Sequence, residues 1–352
     1  EAARRVGSAL RAADVPLAFD FCVDPASSGV EHDAGAGSRE GQAYVVNLVC
    51  VNPDFLPTFL RDRPGYLNGH YNIALWNWEL QEIPPEWTRA AAVFDEIWAP
   101  SRFVSDPLSR ALTVPVIRVP YPVEPDAAPS AGLTRARLGL GDSAFVFLSI
   151  LDFHSISERK NPLGLIRAFR DAFAVDEGAH LVVKTARGRY DRSGYDALCA
   201  AARGHNILVI DEVLPRGEVN ALYSIADAYV SLHRSEGYGL TLLEAMAAGL
   251  PVIATGYGGN TDFMNATNSL LVGYELVELS RDFLPYKRGW RWAEPDLAHA
   301  AALMRRLYED REGARELGEA ARTSVVAALH PRAVGAMLKE RLDALRRGQG
   351  GI

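Results

Sequence analysis

Short apolar runs alternate with longer amphipathic stretches along most of this chain, and that alternation predicts an α/β protein. In the first third the pattern predicts strands over 15–20, 44–49, 71–76, 96–99 and 116–119, with helices over 2–13, 53–62, 85–94 and 102–112. The second half alternates more clearly, with strands over 144–151, 180–184, 207–210, 228–232, 252–255 and 270–272. Helices over 162–174, 194–203, 217–226, 239–248 and 295–309 separate or follow them. "AFVFLSIL" and "HLVVK" are near-continuous apolar runs, as expected of strands in a parallel sheet with helices on both faces. Single helices between strands imply βαβ units. The tail over 311–349 reads as helical and solvated, being rich in Arg and Glu.

Punctuation divides this pattern. The stretch over 24–42 is polar and glycine-rich and reads as a loop. "PYPVEPDAAPSAGL", 120–133, holds four prolines and little core material, so it reads as a linker. Two doubly wound α/β domains follow, an N-terminal one over 1–122 and a C-terminal one over 123–330. Ligands in such folds sit beyond the carboxyl ends of the strands, and the cleft between two such domains is the expected site. The chain opens at the first turn of a helix, so the first strand and loop of a complete N-terminal domain are expected to be missing from this sequence.

Length and composition agree with that division. A chain of 352 residues is long for one core, and 48% apolar with 23% charged residues is an ordinary globular composition. The net charge of -7 argues against nonspecific nucleic-acid binding, which needs a basic surface. Cys22, Cys50 and Cys199 are scattered and form no CxxC pair, which points to buried thiols rather than a disulfide framework or a zinc site. No apolar run approaches the ~20 residues of a membrane span.

The chemistry concentrates after the predicted strands. In "SEGYGLTLLEAMAAGLPVIAT", Glu236 falls in the turn after the strand ending near Leu232. Gly237 and Gly239 allow close backbone approach, and the amides at the helix start attract an anion. Glu244 lies on a helix that is apolar all round, and such helices are buried. A buried carboxylate needs donors; a ribose diol would supply two, and a backbone amide or an arginine is the plainer alternative. In "LSILDFHSISERKNPLGLIRAFRDAF", Asn161 and Pro162 open a helix directly after Arg159 and Lys160. Two cations beside a helix N-terminus point to a phosphate or diphosphate, the alternative being a solvated basic pair. The glycine turn in "TGYGGNTDFM", with Gly259 and Asn260, and the strand-terminal Lys184, His233 and Arg234 are weaker candidates for the same edge. In "YNIALWNWELQEIPPEW", Trp76 and Trp78 could form a stacking platform for sugars, with Glu79 as an acceptor of hydroxyl protons; a packed aromatic cluster is the alternative. No GxxxxGK[ST], HExxH, DxD or GxSxG pattern is present, so no metal-ligand set is expected.

These motifs resemble the E-x7-E signature of retaining glycosyltransferases of family 4, which have the GT-B fold, two Rossmann-like doubly wound domains facing each other across a cleft. "RKNPLGLIRAFRDAF" and "GGNTDFM" resemble flanking elements of that family in the same order. "WNWELQEIPPEW" with "FDEIWAPSRFV" resembles a bacterial cell-surface polysaccharide subgroup. The resemblance implies a nucleotide-diphosphate sugar as co-substrate, with no cofactor and no metal. It implies that Glu236 faces the donor sugar, Glu244 holds the ribose, and Arg159 with Lys160 holds the diphosphate. Gly237, Tyr238, Gly239, Leu240 and Thr241 would approach the donor, and Leu214 would contact the base through its backbone. The acceptor, a glycan or lipid-linked glycan, would lie near Trp76, Trp78 and Glu79. The last helix, 331–349, would return to the N-terminal domain. A cytoplasmic location is implied, with peripheral membrane contact at the inner face left open. Asp152-Phe153 stands where many members carry an arginine, which would shift diphosphate binding onto Arg159 and Lys160. A nucleotide-sugar epimerase, a phosphorylase and a non-catalytic two-lobed binding protein are the rival readings. A dinucleotide-dependent oxidoreductase is disfavoured by the lack of GxGxxG with a downstream acid.

Overall fold

The computed structural model describes residues 1–20, 44–123 and 132–348. The loop expected over 24–42, Cys22 and residues 124–131 of the expected linker lie outside them. In chain order the first elements are α1 (Ala2–Ala12), β1 (Val46–Val49), α2 (Leu56–Asp62), β2 (Tyr71–Leu75), α3 (Trp87–Ala91), β3 (Glu96–Ala99), α4 (Arg102–Ala111) and β4 (Val116–Arg118). Then come β5 (Phe145–Ile150), α5 (Ser157–Lys160), α6 (Pro162–Ala172), β6 (Ala179–Thr185), α7 (Arg192–Ala202), β7 (Ile207–Asp211), α8 (Arg216–Ile225), β8 (Ala228–Ser231), α9 (Leu240–Ala247), β9 (Val252–Thr255) and β10 (Leu270–Val272). A hairpin of β11 (Tyr274–Glu278) and β12 (Arg291–Pro295) follows, then α10 (Leu297–Glu309), α11 (Arg311–Leu329) and α12 (Pro331–Gly348).

Two compact units result. One is built from Glu1–Asn77, Ile83–Pro122 and Leu329–Ile352, the other from Trp78–Glu82 and Val123–Ala328. The first holds a parallel sheet of order β1-β2-β3-β4. The residues expected to form a strand over 15–20 join no sheet; the Val15 amide instead bonds back to the Leu10 carbonyl at 3.0 Å, closing α1. α12 packs against α1 so closely that a Cβ on Gly335 would stand 2.1 Å from the Ala9 carbonyl oxygen. A buried charge pins the same helix: Glu96 is fully buried on β3 and receives Arg341 Nε at 3.1 Å, the Trp98 indole N–H and the Tyr71 hydroxyl at 3.3 Å.

The second unit holds a six-stranded sheet of order β10-β9-β8-β5-β6-β7, parallel throughout. Phe145, Phe147, Phe169 and Phe173 pack under it, with ring centroids 4.9–6.1 Å apart. Because every strand runs the same way, the loops after β5, β6, β8 and β9 all leave at one edge. The antiparallel hairpin β11–β12 is an element that the sequence pattern did not signal. Among the described residues no helix is long and apolar enough to cross a membrane.

Removing the Arg341 guanidinium leaves Glu96 charged and unpaired in the interior. Arg341→Ala should therefore lower stability to urea by about 3 kcal/mol, and adding Glu96→Gln should recover part of that loss. Equal stability of Arg341→Ala and wild type would remove this pair from the account of how α12 is held.

Candidate active site

Two loops at the carboxyl edge of the second sheet are laced together before any ligand is considered. Asn161, in the left-handed region at φ 53°, caps α6 by accepting from the Gly164 amide, and its Nδ2 donates to the Leu232 carbonyl at 2.9 Å. The Arg234 amide bonds the Arg159 carbonyl at 2.7 Å, and the Arg159 guanidinium donates to the Ser235 carbonyl at 2.7 Å. The turn after β9 closes over the same loop. The Gly259 amide bonds the Glu236 carbonyl at 2.7 Å, and a Cβ on Gly258, at φ 114°, would meet that carbonyl at 2.7 Å. Only glycine fits at that position.

This lacing brings Arg159, Lys160 and Glu236 together. Lys160 Nζ hydrogen-bonds Glu236 Oε1, and Arg159 stands 3.4 Å from Oε2. All three are largely withdrawn from water, with side-chain exposures of 5%, 20% and 13%. Burial alone would raise the Glu236 carboxyl, but Lys160 and then Arg159 pull it down to about 2. Burial lowers the Lys160 ammonium, partly offset by Glu236. Arg159 stays charged despite burial because Tyr286, Glu236 and Glu79 all favour its cation. Its Nε is buried and meets no acceptor among the described residues. Next to them His233 is fully buried and held below its ordinary range by burial. Its Nε2 must donate to the Tyr257 carbonyl at 3.0 Å, leaving Nδ1 to accept from Ser231 at 3.0 Å.

Glu244 is buried on α9, as expected, with 8% exposure. Its carboxylate accepts from the Arg216 guanidinium at 2.8 Å and from the Tyr223 hydroxyl at 3.1 Å. The plainer of the two expectations, pairing with an arginine, is what the structure shows. Arg216 opens α8 directly after Leu214 and Pro215, with half its side chain exposed. Neither Arg216 nor Tyr223 stood out in the sequence, because nothing local marks a partner that lies 21 or 28 residues away.

Other expected contacts divide. Gly237, Gly239, Leu240 and Thr241 form the turn and first residues of α9. The Tyr238 ring is buried against Phe263, centroids 5.3 Å apart. Lys184 is the penultimate residue of β6, buried and lowered by that burial, near the ion pair that Arg187 makes with Asp152. Arg187 thus sets a cation beside the position where the resembled family carries one. Gly259 and Asn260 are committed to the turn: the Gly259 amide is used as described, and fully buried Asn260 donates to the Thr255 carbonyl at 3.1 Å.

The aromatic platform is corrected. Trp76 is wholly buried in the first unit, its ring packed edge-on to Trp87 at 5.4 Å and Phe94 at 6.0 Å. Trp78 is 2% exposed and belongs to the second unit, packed against Tyr286 and Trp290. Both indoles are core residues, because burying ring surface against other apolar side chains removes it from water. Glu79, also in the second unit, accepts the Tyr286 hydroxyl at 2.8 Å, and its carbonyl accepts the Ser235 hydroxyl. Among the described residues no group of three or more His, Cys, Asp or Glu is gathered to hold a metal ion.

Residues 148–324 match the family described as glycosyl transferases group 1. An alpha-monoglucosyldiacylglycerol synthase of Streptococcus pneumoniae is 32% identical over 127 residues, 35% of this chain and 26% of that protein. A sucrose synthase of Melioribacter roseus is 33% identical over 117 residues, 28% of this chain and 14% of that protein. The matches thus span about a quarter or less of these relatives. Among solved structures, Anabaena HepE in complex with UDP and glucose superposes with a TM-score of 0.65 at 13% identity, covering 86% of this chain and 78% of that one. The sucrose-phosphate synthase of Thermosynechococcus elongatus gives 0.65 at 18% identity, covering 86% and 74%. The likeness is one of fold, and the fold is GT-B, with two Rossmann-like domains.

Glu236 titrates at about 2 in the folded protein against 4.5 for an ordinary glutamate. Its pairing therefore stabilises the fold fully above pH 4.5 and fades as the pH falls through about 2. Urea denaturation should find Glu236→Gln less stable than wild type near neutrality, by on the order of 3 kcal/mol. The gap should narrow steadily below pH 4.5; a gap independent of pH would mean that the pairing is not with a carboxylate anion.

Proposed function

The chain belongs to the glycosyl transferases group 1 family, and from that premise we propose that it moves a hexose from a nucleotide-diphosphate sugar to a hydroxyl of a glycan or lipid-linked acceptor, with retention at the anomeric carbon. The observation that carries the reading is the buried triad of Arg159, Lys160 and Glu236 at the carboxyl edge of the parallel sheet. Two cations converge at one point of that edge, and among the described residues Arg159 Nε is a buried donor with no acceptor. A diphosphate carries acceptor oxygens that suit such a donor. Within this reading the chain is a member of family 4, and Glu236 and Glu244 form its E-x7-E pair.

As the glycosidic bond breaks, negative charge grows on the departing diphosphate. Arg159, Lys160 and the first amides of α9 stabilise it without having to reorganise. The departing phosphate oxygen takes the proton of the incoming hydroxyl, which places the new bond on the same face as the old. Glu236 orients the sugar and stabilises its oxocarbenium character, while Glu79 accepts a hydrogen bond from a substrate hydroxyl. Glu244 receives the ribose hydroxyls when Arg216, half exposed, gives way. These groups need no metal in this reading, since protein cations do the neutralising. HepE was solved with UDP and glucose, which makes UDP-sugars the first donors to test. The pneumococcal relative makes a glucosyl diacylglycerol, by its name, which supports including a diacylglycerol acceptor among those to test.

A thermal-shift screen with UDP, GDP, dTDP and ADP tests the donor site directly. The cognate diphosphate at ~100-fold excess over its dissociation constant should stabilise by about 2.7 kcal/mol, and Lys160→Ala should abolish that shift. Glu236→Gln and Lys160→Ala should each cut sugar transfer at least ~100-fold, the loss typical of one transition-state contact. Wild-type rates in either variant, or no shift with any of the four diphosphates, would reject the reading.

A further inference from the structure

The hairpin β11–β12 carries a residue that the proposed reaction has not yet used. Its connecting loop places Tyr286 at 3% exposure, with the ring edge-on to Trp78 at 5.4 Å, and Trp290 flanks the same indole at 6.1 Å. Between them the two rings hold the segment Trp78–Glu82 within the second unit. The Tyr286 hydroxyl donates to Glu79 Oε2 at 2.8 Å. The Glu79 backbone is held as well, since its carbonyl accepts the hydroxyl of Ser235, the residue before Glu236. Both the main chain and the carboxylate of Glu79 are therefore fixed relative to the Arg159–Glu236 pair.

The electrostatics separate this carboxylate from its neighbour. Glu236 has both oxygens on cations. Glu79 has one oxygen on a neutral phenol, which orients it without cancelling its charge. Burial keeps the Tyr286 phenol well above its ordinary range, opposed by Arg159 and reinforced by Glu79, so it remains a donor throughout the neutral range. Arg159 in turn feels Tyr286, Glu236 and Glu79. A carboxylate fixed at one oxygen, with its charge intact and close to a buried cation, suits acceptance of a hydrogen bond from a substrate hydroxyl.

We propose that Tyr286 is a positioning residue for sugar transfer, holding the Glu79 carboxylate in the orientation that receives a substrate hydroxyl. The inference rests on the transferase reading above and deepens it. Tyr286 does not touch substrate; it acts through Glu79. The hairpin that bears it is thus part of the working site, rather than a decoration on the sheet.

Tyr286→Phe is the informative variant, because it keeps the ring packed on Trp78 and removes only the donor. Nucleoside diphosphate release is followed from UDP-glucose, UDP-N-acetylglucosamine, GDP-mannose and ADP-glucose, with diacylglycerol vesicles or an oligosaccharide as acceptor. In Tyr286→Phe kcat should fall roughly tenfold or more, as expected for one hydrogen bond to a charged group, while the donor KM stays within about twofold. Glu79→Gln should show a comparable fall, and the double variant should be no worse than Glu79→Gln alone. Wild-type kcat in Tyr286→Phe, or losses that multiply in the double variant, would overturn the positioning role while leaving the transferase reading in place. No release by the wild type from any of the four sugars would overturn that reading, and this role with it.

Discussion

The contact between Glu236 and the two cations Arg159 and Lys160 is the constraint on which the candidate site depends. Burial lowers the Lys160 ammonium, which Glu236 offsets, and opposes the charge on Arg159, which Tyr286, Glu236 and Glu79 offset together. The pairing joins the loop after β5 to the loop after β8, whose strands are neighbours in the sheet. Hydrogen bonds to main-chain carbonyls run the same way, from the Arg159 guanidinium to Ser235, from the Arg234 amide to Arg159 and from the Asn161 side chain to Leu232. Charge and main chain therefore fix one geometry together, and a site fixed in this way needs little rearrangement to meet a charged ligand.

That geometry is shaped for an anion but is already partly neutralised. Glu236 sits on both cations, and Arg216 with Tyr223 sits on Glu244. The protein satisfies these buried charges with its own side chains, which is what the cost of an unpaired buried ion demands. A ligand gains only the difference between its contacts and those it replaces. The unused donor at Arg159 Nε and the half-exposed Arg216 mark the places where the exchange is least costly.

The second unit also borrows from far along the chain. Segment Trp78–Glu82 precedes that unit by some forty positions, yet packs within it through Trp78, Tyr286 and Trp290. Ser235 and Tyr286 then fasten Glu79 beside the triad. Aromatic packing supplies the adhesion and two hydrogen bonds supply the orientation. This division of labour explains why the tryptophans of "WNWE" are buried while the glutamate between the rings and the cations remains partly open.

Nearly all the strands and helices of both sheets were legible from apolar periodicity, because parallel strands buried on both faces carry an uninterrupted apolar signal. The helix opening at Asn161-Pro162 and the burial of Glu244 follow from local composition, since caps and apolar faces act within a few residues, and a parallel sheet brings the loops that carry Arg159, Lys160 and Glu236 to one edge. What lay out of reach are the long-range pairs. Arg216 and Tyr223 on Glu244, Arg341 on Glu96 and Tyr286 on Glu79 join positions 21 to 245 residues apart. No local preference encodes them. The fate of Trp76 and Trp78 was decided the same way: the sequence by itself determined that large rings end a strand, and only the tertiary structure, by offering other rings to pack against, decided that they are core and not platform. Local physics chose the elements and the charges at their ends; burial of surfaces distant in the chain chose how those charges are paired.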